Sequence, residues 1–141
     1  IKKFVSLDLK VASIKHAHHD FDIDYPGTDS YIHRESGSTQ VIVSSAKRWV
    51  KINELDNKKE KTLDELISEI SSVDLIVVEG FKKENHPKLE IIKDNSDPES
   101  FLFPKLKNII GLISDKKIDT TMAQFKKNEI SIIADFILKS L

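Results

Sequence analysis

The sequence contains no cysteine among its 141 residues and has no strong excess of charge of either sign. The lack of cysteine excludes a disulfide framework, a thiolate zinc site and a cysteine nucleophile. It is compatible with a reducing compartment, so we expect a cytoplasmic protein. The longest apolar run, Leu75 to Val78, is too short to span a bilayer. The net charge of −1 favours neither nucleic acid nor an anionic membrane as a partner.

The residues that are present have the balance of a globular protein. Hydrophobic residues make up 39% of the chain and charged residues 32%, which is enough apolar material for a core. The length fits one domain, so we expect residues 1–141 to form a single domain.

Strand-like and helix-like patterns alternate along the chain. Thr62 and Glu65 form a capping box, and Thr28 and Gly37 are placed to begin and end another helix. The alternation predicts an α/β domain with a mainly parallel sheet and a β-hairpin at about 40–53. We predict helices at 1–7, 28–36, 62–72 and from 128, and strands at 10–15, 40–44, 47–53, 74–79, 89–93 and 108–114.

An apolar strand that ends in an acid is the first candidate site. The run from Asp74 to Glu79 is followed by Gly80, and we expect this strand to be buried on both faces. This is the Walker B pattern, in which the acid holds Mg²⁺ directly or through water. Gly80 would let the backbone turn close to a phosphate, and Lys82 would approach it as a cation. The alternative is a core strand that ends in a surface glutamate.

A segment rich in histidine and aspartate is the second candidate. Hard divalent ions prefer carboxylates, and transition metals suit imidazoles, so the segment would contact substrate, phosphate or a metal ion. The alternative is a polar loop whose side chains form turns and caps. Ligands bind at the carboxyl ends of strands in parallel sheets, which would place this segment and Glu79 on one rim. Its candidate residues are His16, His18, His19, Asp20, Asp22 and Asp24.

Two cations and one aromatic residue complete the set. Lys15 closes a predicted strand beside the segment, and Arg34 follows it on a predicted helix, where its planar fork would clamp an anion. Trp49 on the hairpin is interpreted as a core or dimer-interface residue.

Several stretches resemble the MobB family of molybdopterin-guanine dinucleotide biosynthesis adapter proteins. They are I-K-H-x-H-H-D-F-D-x-D-x-P-G-x-D-S-Y-x-x-R at Ile14 to Arg34, V-V-E-G-F-K at Val77 to Lys82, P-K-L-E-I at Pro87 to Ile91 and the closing F-K-K-N-E-I-S-I-I-A-D-F-I.

The resemblance implies a P-loop NTPase-like protein that binds GTP and Mg²⁺, is at most a weak GTPase and forms a homodimer. Its implied partner is MobA, the guanylyltransferase that joins GMP to molybdopterin, and molybdopterin itself is a possible ligand. Glu79 would take the Walker B role and hold the metal. The other implied binding residues lie near the nucleotide or the pterin: Lys15, His16, Asp20, Asp22, Asp24, Arg34, Gly80 and Lys82.

The chain departs from the family pattern in two respects. The phosphate loop G-x-x-x-x-G-K-[ST] and the strand before it would be expected ahead of Ile1, so we expect this chain as it stands to bind GTP poorly. Thr28 stands where the family commonly has lysine, which removes one cation. Two alternative functions stay open: a non-catalytic dimeric interaction module, and a metal-dependent hydrolase that uses the histidine and aspartate residues.

Overall fold

A computed structural model describes residues 1–17, 21–55 and 59–141. The chain divides into two compact units, the first made of Ile1–Ile14 and Ser72–Leu141 and the second of Lys15–Ser71. The elements in chain order are α1 (Lys2–Val5), β1 (Val11–Lys15), α2 (Asp29–Glu35), β2 (Gln40–Ser44), β3 (Trp49–Asn53), α3 (Leu63–Ser68), β4 (Leu75–Glu79), β5 (Lys88–Ile91), a 3-10 helix (Pro98–Ser100), β6 (Ile109–Ile113), β7 (Ala123–Phe125) and α4 (Ile130–Ser140).

A three-stranded parallel sheet in the order β5-β6-β7 forms the best-packed part of the first unit. Its central strand β6 carries Leu112, which is fully buried and clusters with Ile92 and Ile109. Gly111 allows close packing here, because a Cβ at this position would lie 3.0 Å from Leu89 Cδ2 and 3.2 Å from the Ala123 carbonyl oxygen. Gly111 weakens the strand pattern in the sequence, but the close approach of the neighbouring strands β5 and β7 requires a glycine here.

The first unit also contains the pair β1 and β4. The Lys10 carbonyl accepts hydrogen bonds from Asp74 N at 2.9 Å and Leu75 N at 3.2 Å, and the Asp74 carboxylate accepts from Lys10 N at 2.7 Å. Because the two strands begin side by side, they run parallel.

A groove of about 950 Å³ in the first unit is lined along its length by β4 and β5. Among the described residues, no further strand pairs with the edge of β4 or of β5 that borders the groove. The expectation that β4 is buried on both faces is wrong: its apolar residues are only half-buried, because this edge is open.

The second unit is built from short elements with strong local signals. Thr28 caps α2 by accepting a hydrogen bond from Tyr31 N, and α3 begins with the predicted capping box of Thr62 and Glu65. The antiparallel pair β2 and β3 confirms the predicted hairpin. α2 packs against β2, whose Val41 is buried.

The predicted α/β class is confirmed, and the differences lie in the sheets and the helix ends. The described residues form three small sheets in place of one. The strand β7 was not predicted, since three residues are too few for a clear alternation. The last helix was expected to begin at 128 with Asn128 as its cap, but α4 begins at Ile130, after Glu129, and has no side-chain cap. None of the described helices is long and apolar enough to cross a membrane.

Candidate functional site

Glu79 and Gly80 lie at the carboxyl end of β4, as the sequence predicts. Glu79 is exposed, and the backbone turns immediately after it with positive φ angles of 92° at Gly80 and 48° at Phe81. Two successive left-handed residues end the strand sharply, and glycine adopts the first without steric cost. Lys82 follows this turn, is exposed and lines the groove with Glu79.

The loop that follows is held at its far end by two side chains. Asn108 Nδ2 donates to the carbonyl oxygens of Glu84 and His86, both at 2.8 Å, and Lys88 Nζ donates to the same two carbonyls. Burial lowers the pKa values of both His86 and Lys88. These hydrogen bonds therefore hold the segment between Gly80 and β5 in place where β5 and β6 begin.

Asp24 is the centre of the histidine and aspartate segment in the second unit. Its Oδ1 accepts hydrogen bonds from Thr28 Oγ1 at 2.8 Å, Ser30 Oγ at 3.0 Å and Tyr25 N at 3.1 Å. Burial raises the pKa of Asp24, but these bonds, led by those from Thr28 and Ser30, outweigh burial and leave it below its ordinary value. Thr28 stands at the position where the resemblance predicts a lysine. It both caps α2 and holds Asp24 in place.

Arg34 is enclosed by carboxylates, and only 12% of its side chain is exposed. Arg34 Nη2 donates to both oxygens of Asp22 at 2.9 Å, and Nη1 donates to Glu54 at 3.0 Å. Arg34 Nε lies 3.6 Å from Asp24 Oδ2, and its guanidinium lies 5.4 Å from the centre of the Tyr31 ring. The bonds to Asp22 and Glu54 raise the pKa of Arg34. The Asp22 pKa is lowered, first by the Asp24 backbone N–H and then by Arg34.

The arrangement brings three of the predicted site residues together: Asp22, Asp24 and Arg34. The fork of Arg34 is already occupied by carboxylates, so clamping an external anion would require it to exchange these partners. We call these residues with Glu54 the arginine cluster. Glu54 was not predicted, and only its position one residue after β3 hints at it.

The remaining residues of this segment are placed as follows. His16 Nε2 lies 2.8 Å from Glu60 Oε1, and Lys15 is the exposed last residue of β1. His18, His19 and Asp20 lie outside the described residues. No group of three histidine or acidic side chains that would hold a metal ion occurs in 1–17, 21–55 and 59–141. That Glu79 and this segment share one rim stays a prediction.

A second cavity, of about 580 Å³, lies at the carboxyl ends of β5 and β6 in the first unit. Phe101 and Phe103 line it, with ring centres 5.8 Å apart. Sequence reasoning did not predict this cavity, because its lining comes from three stretches that no motif joins. They are 92–98, 101–104 and 114–119.

Comparisons with known proteins agree with the geometry. The profile of a family described as MobB, molybdopterin guanine dinucleotide synthesis protein B, matches residues 1–115. A molybdopterin-guanine dinucleotide biosynthesis adapter protein of Escherichia coli is 37% identical over 130 residues, which cover 89% of this chain and 73% of the relative. One of Haemophilus influenzae is 32% identical over 142 residues, covering 97% of this chain and 76% of the relative.

Solved structures show the same fold. A crystal structure of a molybdopterin-guanine biosynthesis protein B superposes with a TM-score of 0.77 at 24% identity, covering 99% of this chain and 86% of the other. A crystal structure of Bacillus subtilis MobB gives a TM-score of 0.73 at 23% identity, covering 99% and 85%. The family match over most of the chain and the curated relatives together show that this chain belongs to the MobB family.

Proposed function

We propose that this protein binds GTP with Mg²⁺ and, in that state, assists the guanylyltransferase MobA in forming molybdopterin guanine dinucleotide. The coarser role, an adapter protein in molybdenum cofactor biosynthesis, comes with membership of the MobB family. The nucleotide, the metal ion and the partner are the proposal.

The observation that carries the proposal is the end of β4. A carboxylate stands at the carboxyl end of a strand in a parallel pair, and a tight left-handed turn and a lysine follow it. Mg²⁺ is commonly held by one or two carboxylates together with phosphates and water, so a single exposed glutamate fits this ion. Glu79 would hold Mg²⁺, which would neutralise phosphate charge, and Lys82 would add a positive charge beside it.

The groove between β4 and β5 supports a P-loop NTPase-like arrangement. A space bordered by the open edges of two strands has the form that one further strand would fill. We propose that the groove has the form to accept the strand and the phosphate loop of the family pattern. The backbone N–H groups of that loop would then face the phosphates.

Calorimetry on a chain that carries the family's phosphate loop tests this proposal. We expect GTP to bind with a micromolar Kd that depends on Mg²⁺, and Glu79→Gln to remove most of the Mg²⁺ dependence. Glu99→Gln, on the exposed 3-10 helix, makes the same charge change and should leave binding unaltered. An absence of heat with GTP and Mg²⁺ would refute the proposal. Co-purification with MobA, with and without GTP, tests the adapter step.

A second proposal is that the hairpin joins two copies of the chain. Ile42 and Trp49 lie on the outer face of the β2–β3 pair and are 65% and 68% exposed, so Trp49 is not a core residue. A two-stranded sheet is marginally stable alone, and a second copy would cover these two exposed apolar side chains. Light scattering should give twice the mass of one chain, and the double change Ile42→Ser with Trp49→Ser should give a monomer. A wild-type monomer would contradict the dimer.

The metal-dependent hydrolase stays a prediction. His16 contacts Glu60, and its expected co-ligand His18 lies outside the described residues. Metal analysis of protein purified without chelators tests it, since the hydrolase requires a stoichiometric transition metal.

A further inference from the structure

Three exposed apolar side chains alternate with two acids in the segment that precedes α2. Phe21, Ile23 and Tyr25 are 77%, 60% and 76% exposed. The acids between them turn inward, with Asp22 bound to the Arg34 guanidinium at 2.9 Å and Asp24 lying 3.6 Å from it. The apolar side chains therefore face the solvent and the charged ones face the protein, which reverses the usual arrangement of a surface loop. We call Phe21, Ile23 and Tyr25 the apolar stripe.

The apolar stripe is more than the chance exposure of single residues. Scattered apolar side chains on a surface need no explanation, but three among the five residues 21–25 form a patch. An aromatic side chain has about 150–250 Å² of surface to bury, so the two rings offer much of the area of a small contact site. A standard interface takes about 800 Å² from each partner, so the stripe would be the anchor of a larger contact.

The backbone beneath the stripe is held in place by polar bonds. Asp24 N donates to Asp22 Oδ1 at 3.0 Å, and Asp24 Oδ1 accepts from Tyr25 N at 3.1 Å. The hydroxyls of Thr28 and Ser30 donate to the same Asp24 oxygen. These bonds use main-chain and polar atoms alone, so they fix the loop and leave the rings to the solvent. A partner that binds the preorganised loop would need to order little more than two χ angles in each ring.

The arginine cluster beneath the stripe carries an excess of negative charge. Its three carboxylates and one guanidinium give a net charge of −2. The side chains of Asp22 and Glu54 stay partly exposed, so this charge acts on the surrounding solvent. An apolar patch with acidic groups beside it is complementary to a protein surface that combines apolar side chains with lysine or arginine. The same charge repels the phosphates of nucleic acid and of anionic membranes.

We propose that the apolar stripe is a docking surface for a protein whose contact face combines apolar side chains with a basic border. The proposal rests on the proposed function for its choice of partner, which is the guanylyltransferase MobA. Phe21 and Tyr25 would be buried among apolar side chains of the partner, since a few buried side chains supply most of the energy of an interface. The carboxylates of the arginine cluster would face the basic border and speed association. The stripe would serve the protein partner and Glu79 the nucleotide.

Titration of MobA with a chain that carries the family's phosphate loop, in the presence of GTP and Mg²⁺, tests the proposal. The double change Phe21→Ser with Tyr25→Ser should lower the affinity for MobA roughly 30-fold or more, because two aromatic anchors are lost. Ile23→Ser should lower it about fivefold. Ile132→Ser, at a residue of α4 that is 54% exposed, is the matched control and should leave the affinity unchanged. Raising the salt from about 0.05 M to about 0.5 M should weaken wild-type binding roughly tenfold.

The outcomes separate the docking surface from the nucleotide site. The double variant should keep the unfolding midpoint and the GTP affinity of the wild type, because both rings are exposed and neither is a proposed ligand of GTP. Wild-type affinity for MobA in the double variant would overturn the docking surface, while Mg²⁺-dependent GTP binding would leave the nucleotide part of the proposed function standing. Wild-type binding that ignores salt would overturn the basic border.

Two further results would also count against the docking surface. Light scattering that shows a dimer in the wild type and a monomer in the double variant, with MobA binding retained, would make the stripe an interface between two copies of this chain. A wild-type chain that does not bind MobA, although it binds GTP with Mg²⁺, would overturn both the docking surface and the adapter step. Loss of MobA binding in the double variant with its dimer, midpoint and GTP affinity intact would support the proposal.

Discussion

The two compact units are stabilised by different interactions. The first unit contains most of the buried apolar side chains of the described chain, among them Leu112 and Ile133. Among its described residues the second contains only two, Val41 and Leu63, and it relies on helix caps and the arginine cluster. Apolar burial is insensitive to pH, whereas ion pairs and hydrogen bonds to carboxylates depend on protonation. The second unit should therefore respond to pH and to charge substitutions more strongly than the apolar core of the first.

The same contrast separates the two candidate sites. In the arginine cluster every charged group faces one of opposite sign, because three carboxylates share one guanidinium. Around the cavity at the carboxyl ends of β5 and β6, Asp119 and Lys117 have no charged partner among the described residues. The arginine cluster is nevertheless not fully satisfied, since Asp24 Oδ2 and Arg34 Nε are buried without a hydrogen bond.

Leu112→Ala should have the largest effect on stability. The side chain is fully buried at the centre of the three-stranded sheet, so its truncation leaves a cavity and should cost about 2–5 kcal/mol. Ile91→Ala, on the exposed side of the neighbouring strand, should cost within about 0.5 kcal/mol. Urea denaturation measures both, and equal costs would show that apolar packing does not dominate the first unit.

Arg34→Met should disrupt the second unit locally. It leaves Asp22, Asp24 and Glu54 close together with no cation between them. Hydrogen exchange should show protection falling by about tenfold or more across residues 22–31, while the amides of β6 stay protected. Arg34→Lys should restore only part of the protection, because an ammonium cannot bond two carboxylates through a planar fork. Arg48→Met, in the exposed hairpin turn, is the control.

The parts of the fold with short-range causes were predictable from sequence. Thr28 and Thr62 cap their helices as expected, and the hairpin has the predicted place, because caps and tight turns depend on residues within about four positions. The partnership of Arg34 with Glu54 was not predictable, since it joins α2 to the end of β3 across 20 residues. The cavity was missed for the same reason. Its walls come from separate stretches whose only common feature is the sheet edge.

Thr62→Ala should have a smaller effect. It removes the hydroxyl that accepts from Glu65 N and should cost about 1 kcal/mol. Thr62→Ser keeps that oxygen and should cost only a few tenths of this. Thermal unfolding followed by circular dichroism measures both. Equal losses for the two variants would mean that the methyl group, and not the cap, stabilises α3.

Lowering the pH should have the smallest effect of all near neutrality. At acidic pH it should weaken the region of Asp22 and Asp24 selectively. The native pKa values of Asp22 and Asp24 lie below the ordinary value of 3.8, so the folded state binds fewer protons than the unfolded state in this range. Their contribution to stability is therefore complete above that value and is lost as the pH falls through the lower native values. The protection factors of residues 22–31, which are corrected for the intrinsic pH dependence of exchange, should be constant from pH 7 to about pH 5 and fall steeply below about pH 4.

The first unit provides the reference for this response to acid. β6 carries no buried carboxylate, so its amides should keep their protection at the pH where the arginine cluster opens. In Arg34→Met the remaining carboxylates repel one another, and protonation relieves the repulsion, so acid should increase protection there or leave it unchanged. A transition between pH 6 and 7 would instead implicate a histidine and would contradict the role assigned to Asp22 and Asp24. Parallel loss of protection in both units would show that their stabilities are coupled, and the distinction between them would fail.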